Sequence, residues 1–236
     1  MEFTGKAIIV TGAAGNVGSA VVRLLAERGA RVAAVDTLQE PLQRAVAALP
    51  HAASHLALSG HDLLDPAACA SIATRTTQAF GGIDGTVNTV GGFAMAPLGD
   101  SGPDLWNSLF DVNLKSALNL YRAIVPTMVA AQRGSLVAIG AAAALRAPAQ
   151  MAAYAASKSA VLRLTEALAE ELKASGVRVN AVLPGTIDTP QNRAAMPDAD
   201  PALWVKPAEV AEAILFLLSD AASGVTGALL PVGGRS

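Results

Sequence analysis

At 236 residues, with a net charge of −2, 52% hydrophobic and only 15% charged, the chain is long enough for one large core. It has no Lys/Arg run with which to grip nucleic acid or an anionic membrane. No apolar run approaches the roughly 18–20 residues that a bilayer-spanning helix needs, and the uncharged stretch 221–234 is broken by four glycines and a proline, as loop and strand would be.

The chain enters a strand at once, over residues 7–11, with no signal peptide ahead of it. The one cysteine, Cys69, cannot close an internal disulfide and reads as a small core residue, so a cytoplasmic protein is expected. The turn Thr11-Gly12-Ala13-Ala14-Gly15-Asn16-Val17-Gly18 follows the strand and opens a helix over 17–28. Glycines there let the backbone turn sharply and approach a pyrophosphate. The helix start adds free N–H groups and a positive dipole end. A second strand, 31–36, closes on Asp36, about 20 residues on. A carboxylate in that place accepts from both ribose hydroxyls of an adenosine and repels a 2′-phosphate, so NAD(H) is expected in preference to NADP(H).

Further along, a helix over 40–48 precedes three histidines, His51, His55 and His61, which lack matching Cys or Glu spacing. They read as solvated loop, with no metal site. Strands at 55–59, 85–89, 135–140, 178–183 and 228–232 then alternate with helices at 66–80, 103–132, 151–175 and 207–219. Such alternation implies a single α/β domain spanning 1–236, a doubly wound parallel sheet with helices on both faces. The Ala/Leu-rich helices 103–132 and 151–175 carry more apolar positions than one sheet face needs, which points to a homodimer or homotetramer. Residues 190–206, turn-rich and without a clear period, are expected to form a substrate lid.

In the helix 151–175, Tyr154 and Lys158 stand four residues apart and so share a face. An ammonium beside a phenol favours the phenolate and draws its pKa down from the usual ~10, giving an acid/base group for neutral pH.

Together these residues resemble the short-chain dehydrogenase/reductase family over nearly the whole chain. Its glycine turn is similar to Thr11–Gly18, with Gly12, Val17 and Gly18 in place, although the middle glycine falls at Gly15 and Asn16 stands where glycine is more usual. Asp62 and Leu63 resemble the adenine-contacting pair, and Asn88-Thr89-Val90-Gly91 the segment after the fourth strand. Asn113 matches the asparagine that holds a water for proton relay. Pro184, Gly185, Ile187 and Thr189 belong to the segment that grips the nicotinamide carboxamide. The resemblance implies Tyr154 as proton donor in reduction, with Lys158 tuning it and bonding the nicotinamide ribose. One departure stands out: the family's serine position is Ala141, and no hydroxyl lies between Ser135 and Tyr154. That alanine, with the stretch 183–200, resembles the dihydropteridine reductase branch.

The resemblance therefore implies an NAD(H)-dependent oxidoreductase acting on a small organic substrate, a quinonoid pterin or imine-like acceptor. An ordinary ketone/alcohol (3-oxoacyl-type) oxidoreductase is one alternative. A non-catalytic NAD(H) sensor is another, disfavoured because a sensor has no use for a tuned proton donor.

Overall fold

Seven short runs of β-branched and small apolar residues form one parallel sheet in the computed structural model, which describes residues 2–235. They are β1 (Ala7–Thr11), β2 (Arg31–Asp36), β3 (Leu56–Ser59), β4 (Gly85–Asn88), β5 (Gly134–Ile139), β6 (Val177–Pro184) and β7 (Leu229–Val232), in the order β3-β2-β1-β4-β5-β6-β7. Every pairing is parallel. The order reverses between β1 and β4, and a crevice opens at their carboxyl ends.

The helices are α1 (Asn16–Glu27), α2 (Gln39–Ala47), α3 (Pro66–Phe80), α4 (Pro103–Phe110), α5 (Ser116–Ala131), α6 (Ala152–Leu172), α7 (Pro190–Ala195) and α8 (Pro207–Leu218). Alternation along β1 divides the core. Ile8 and Val10 face α1 and α8, where Val21, Leu25, Ile214 and Leu215 are buried. Ala7 and Ile9 face Ile72 of α3 and Leu120 and Ile124 of α5. Each such Ile or Leu contributes about 1.5–3 kcal/mol by leaving water. A one-residue slip of β1 would exchange its two faces, but with both sides lined by apolar helices only the fit of individual side chains resists it.

Four expectations need correction. His55 is not in a solvated loop: it is buried, its Nδ1 accepts the Val32 N–H (3.1 Å) and its Nε2 lies 2.9 Å from the Pro50 carbonyl oxygen. The ring satisfies a strand-edge donor, so β3 starts one residue later, at Leu56. The helix expected over 103–132 breaks into α4, a π turn over Asp111–Lys115, and α5. The helix over 151–175 closes at Leu172 with a 3₁₀ turn and a left-handed Gly176 (φ 68°). The segment 190–206 is not irregular: it holds α7, a 3₁₀ turn at Pro201–Leu203 and a buried Trp204. Cys69 is buried, and burial pushes its thiol up to about 11.

Among the described residues, no helix is long and apolar enough to cross a membrane, and no group of three His, Cys, Asp or Glu gathers as a metal site.

Candidate functional site

A cleft of about 850 Å³ opens at the carboxyl ends of β1, β2 and β4. Its floor is the glycine turn. Gly12 has φ +67°, and a Cβ there would lie 2.7 Å from Thr89 Oγ1; one on Gly18 would lie 2.1 Å from the Gly12 carbonyl oxygen. The turn therefore folds onto the start of α1 only with glycine at both places. Gly15 caps α1 without any side-chain acceptor, leaving the first N–H groups of Asn16, Val17 and Gly18 facing a cleft those residues line.

Asp36 stands on the rim. Its carboxylate accepts the Ala14 N–H (2.9 Å) and the Leu38 N–H (3.1 Å), so it anchors the glycine turn while facing the cleft. Asp62 and Leu63 line the same end; Asp62 caps Leu64 N–H at 2.9 Å and Asn119 holds the Leu63 carbonyl at 3.0 Å. Ile187 and Thr189 close the other end. Asn88 sits elsewhere: buried in β4, it accepts from Thr11 Oγ1 at 2.6 Å and braces two strands. Pro184 ends β6, and Gly185 packs on Gly233, whose carbonyl oxygen would lie 2.8 Å from an added Cβ.

Gly91 lines the cleft and abuts α6, although no α6 residue, nor Asn113 or Ala141, is part of the cleft lining. Lys158 is only 5% exposed, and its Nζ donates to the Ile139 carbonyl at the end of β5 (2.9 Å). A Cβ on Gly91 would lie 3.0 Å from that Nζ and 2.9 Å from Asn113 Oδ1, so glycine is what lets the two side chains converge there. Asn113 sits in the π turn, where the Ser116 N–H reaches back to the Asp111 carbonyl. Its Oδ1 accepts from Gly92 N–H (2.9 Å), while Nδ2 donates to the Gly92 carbonyl (3.1 Å) and to Ser157 Oγ (2.9 Å). Ser157 Oγ donates in turn to the Tyr154 carbonyl at 2.8 Å, tying the asparagine to the tyrosine's own turn. Ala141, 6% exposed, lies two residues beyond the end of β5.

Three participants went unnoticed in the sequence. Ser157 sits inside the Tyr-Lys spacing and carries a spatial bond rather than a motif. Phe93, 59% exposed, sets its ring edge-on to Tyr154 with centroids 4.8 Å apart, and nothing in Gly91-Gly92-Phe93 marks it locally. Gln191 meets Asn16 across the cleft.

The electrostatics reverse one expectation. Lys158 bonds the Ile139 carbonyl, and burial pushes the Tyr154 phenol up to about 12 instead of the ammonium drawing it down. Burial also lowers Lys158 from its usual 10.5 to about 8. A phenol held this way keeps its proton at neutral pH.

The lysine shift has a stability consequence. Between pH 8 and 10.5 the unfolded lysine binds a proton that the folded one has released, so stability rises with pH across that window. The full effect is on the order of 3 kcal/mol. Urea unfolding should show wild type gaining on Lys158→Met from pH 7.5 to 10, since the raised Tyr154 is common to both proteins and drops out of the difference. A pH-independent difference between the two proteins would contradict a desolvated lysine.

The short chain dehydrogenase family model matches residues 6–200. The chain is 34% identical over 245 aligned positions to the 3-oxoacyl-(acyl-carrier-protein) reductase FabG of Thermotoga maritima, covering 99% of this chain and 98% of that protein. Among solved structures it is similar to a short-chain type dehydrogenase/reductase from Mycobacterium ulcerans, with TM-score 0.93 and 30% identity over 100% of this chain and 90% of that one. It is also similar to NAD+-bound xylitol dehydrogenase, with TM-score 0.90 and 29% identity over 99% and 100% of the two chains.

Proposed function

Because the chain belongs to the short-chain dehydrogenase family and is an oxidoreductase, we propose that it moves hydride between NAD(H) and a small organic substrate whose reducible bond is part of a quinonoid or imine-like conjugated system, as in the dihydropteridine reductase branch. The observation that carries the substrate class is Ala141, a buried methyl group where a hydroxyl would otherwise meet the substrate.

The residues fit a dinucleotide: a cleft of about 850 Å³, glycines at the points where a Cβ would collide, and uncapped N–H groups at α1. The glycine turn and the start of α1 hold the pyrophosphate. Asp36 takes the adenosine ribose, Asp62 and Leu63 flank the adenine, and Ile187 and Thr189 flank the nicotinamide end. When bound, the nicotinamide supplies or accepts hydride. Tyr154 delivers the matching proton from a phenol that burial keeps protonated. Lys158 replenishes that proton and reaches the ribose, and Asn113, fixed by Gly92 and Ser157, orients the relay. Residues 190–206 cover the substrate and exclude water.

A second reading, ketone/alcohol interconversion, is favoured by likeness to a protein named for 3-oxoacyl reduction. It requires a water or another donor to replace the serine. The retained Tyr154 and Lys158, with Asn113 bonded through Ser157 to the tyrosine's own turn, argue against a sensor, which has no use for a proton donor. A panel of quinonoid dihydropterins, quinones and ketones, followed by NADH consumption, tests the assignment; turnover of none of them would overturn it.

Cofactor preference follows from Asp36. NADH is expected to bind at least about tenfold more tightly than NADPH, roughly 1.4 kcal/mol. Asp36→Ala should narrow the gap by removing the charge that repels a 2′-phosphate, and should weaken NADH as well because the Ala14 N–H loses its acceptor. Fluorescence titration of both dinucleotides checks this, and equal affinities in the unaltered protein would refute it. The protein is proposed to act in the cytoplasm as a homodimer or homotetramer; light scattering that finds a monomer at micromolar concentration would rule the assembly out.

A further inference from the structure

Asn16, the first residue of α1, and Gln191, in α7, meet side chain to side chain: Asn16 Nδ2 donates to Gln191 Oε1 at 3.1 Å. They line the dinucleotide cleft from opposite walls, one on the glycine turn and one on the covering segment. The other polar bonds of α7 stay on its own side. Thr189 Oγ1 accepts the Asn192 N–H (3.1 Å), Asn192 Nδ2 donates to the Ile187 carbonyl (2.8 Å), and the Arg193 guanidinium takes the Asp188 carboxylate at 2.6 and 2.9 Å. Those contacts set the shape of α7. Among the described residues, the Asn16–Gln191 bond alone ties it to the glycine turn by a side-chain hydrogen bond.

We propose that Asn16 and Gln191 form a clasp that retains the bound dinucleotide. The inference rests on reading this cleft as the dinucleotide site. Asn16 stands at the start of α1, where uncapped N–H groups suit a pyrophosphate, so a bond reaching from it to the far wall passes over that group. A glycine at position 16 has no side chain with which to make it. The bond is neutral and exposed, so it opens at small cost: it slows release without blocking entry.

The test compares full-length wild type, Asn16→Gly, Gln191→Ala and the double variant. NADH release is followed by stopped-flow fluorescence after displacement with excess NAD+, and amide hydrogen exchange of residues 190–206 is followed in the protein without dinucleotide. Each single variant should release NADH on the order of three- to tenfold faster. The double variant should be no faster than either single one, since one bond is lost in all three. Exchange in α7 should rise in Asn16→Gly, although the substitution lies on the other wall. Release within twofold of wild type in both single variants, or strictly multiplicative effects in the double variant, would overturn the clasp. If wild type binds no NADH, the cofactor reading fails, and unchanged α7 exchange in Asn16→Gly would still disprove the clasp by itself.

Discussion

Tyr154→Phe is expected to lower turnover by about 10²–10⁴ while leaving the NADH dissociation constant nearly unchanged. The substitution removes one oxygen and keeps the ring, so the edge-on contact with Phe93 at 4.8 Å survives and the pocket wall stays in place. What is lost is the proton that burial holds on the phenol. Lys158→Ala should behave differently. It deletes a buried cation bonded to the Ile139 carbonyl and leaves that oxygen without its donor, so both turnover and dinucleotide affinity should fall. Steady-state kinetics beside fluorescence titration separates the two patterns. A Tyr154→Phe enzyme that keeps most of its activity would mean that the proton comes from another group.

Ala141→Ser should raise ketone reduction by up to about 10²–10³, the usual worth of one hydrogen-bond donor aimed at a developing oxyanion. Residue 141 has extended backbone angles (φ −159°, ψ 150°) that serine adopts without strain. As it stands, a methyl group offers the substrate oxygen nothing. A conjugated acceptor spreads the new charge over its own ring and tolerates that absence, whereas a simple ketone concentrates the charge on one atom. Wild type should therefore reduce a quinonoid dihydropterin faster than cyclohexanone, and the serine variant should narrow the difference from the ketone side. Strong wild-type reduction of cyclohexanone, unimproved by serine, would show that residue 141 does not select the acceptor.

What could be read from the chain was whatever rests on local chemistry. The turn Gly12–Gly18 and Asp36 stand out because a sharp turn before a helix needs glycine and because the end of a strand fixes where a carboxylate sits. Strand positions follow from apolar runs that the sheet buries on both faces. What stayed hidden depends on partners far along the chain. His55 looks like loop until the Val32 N–H claims it. The split of the helix over 103–132 is tied to Asn113 reaching Gly92, 21 residues back, and Ser157, 44 residues on. The direction of the Tyr154 shift could not be read from a four-residue spacing either. Spacing puts Lys158 on the same face, but the Ile139 carbonyl decides where its ammonium points.

The π turn at Asp111–Lys115 sets two demands on chain length against each other. Remove one residue from those five and the ladder from α4 to α5 is free to close as an ordinary helix, with narrower and better bonds throughout. The residues ahead of the deletion would then swing by about 100° relative to those behind it, and an amide that now bonds Gly92 and Ser157 at once would lose that alignment. The backbone would accept the shorter chain; the Asn113 bonds to Gly92 and Ser157 would not. A change of length at this spot therefore acts first on where the Asn113 amide points, and the extra residue in the helix is what sets that direction.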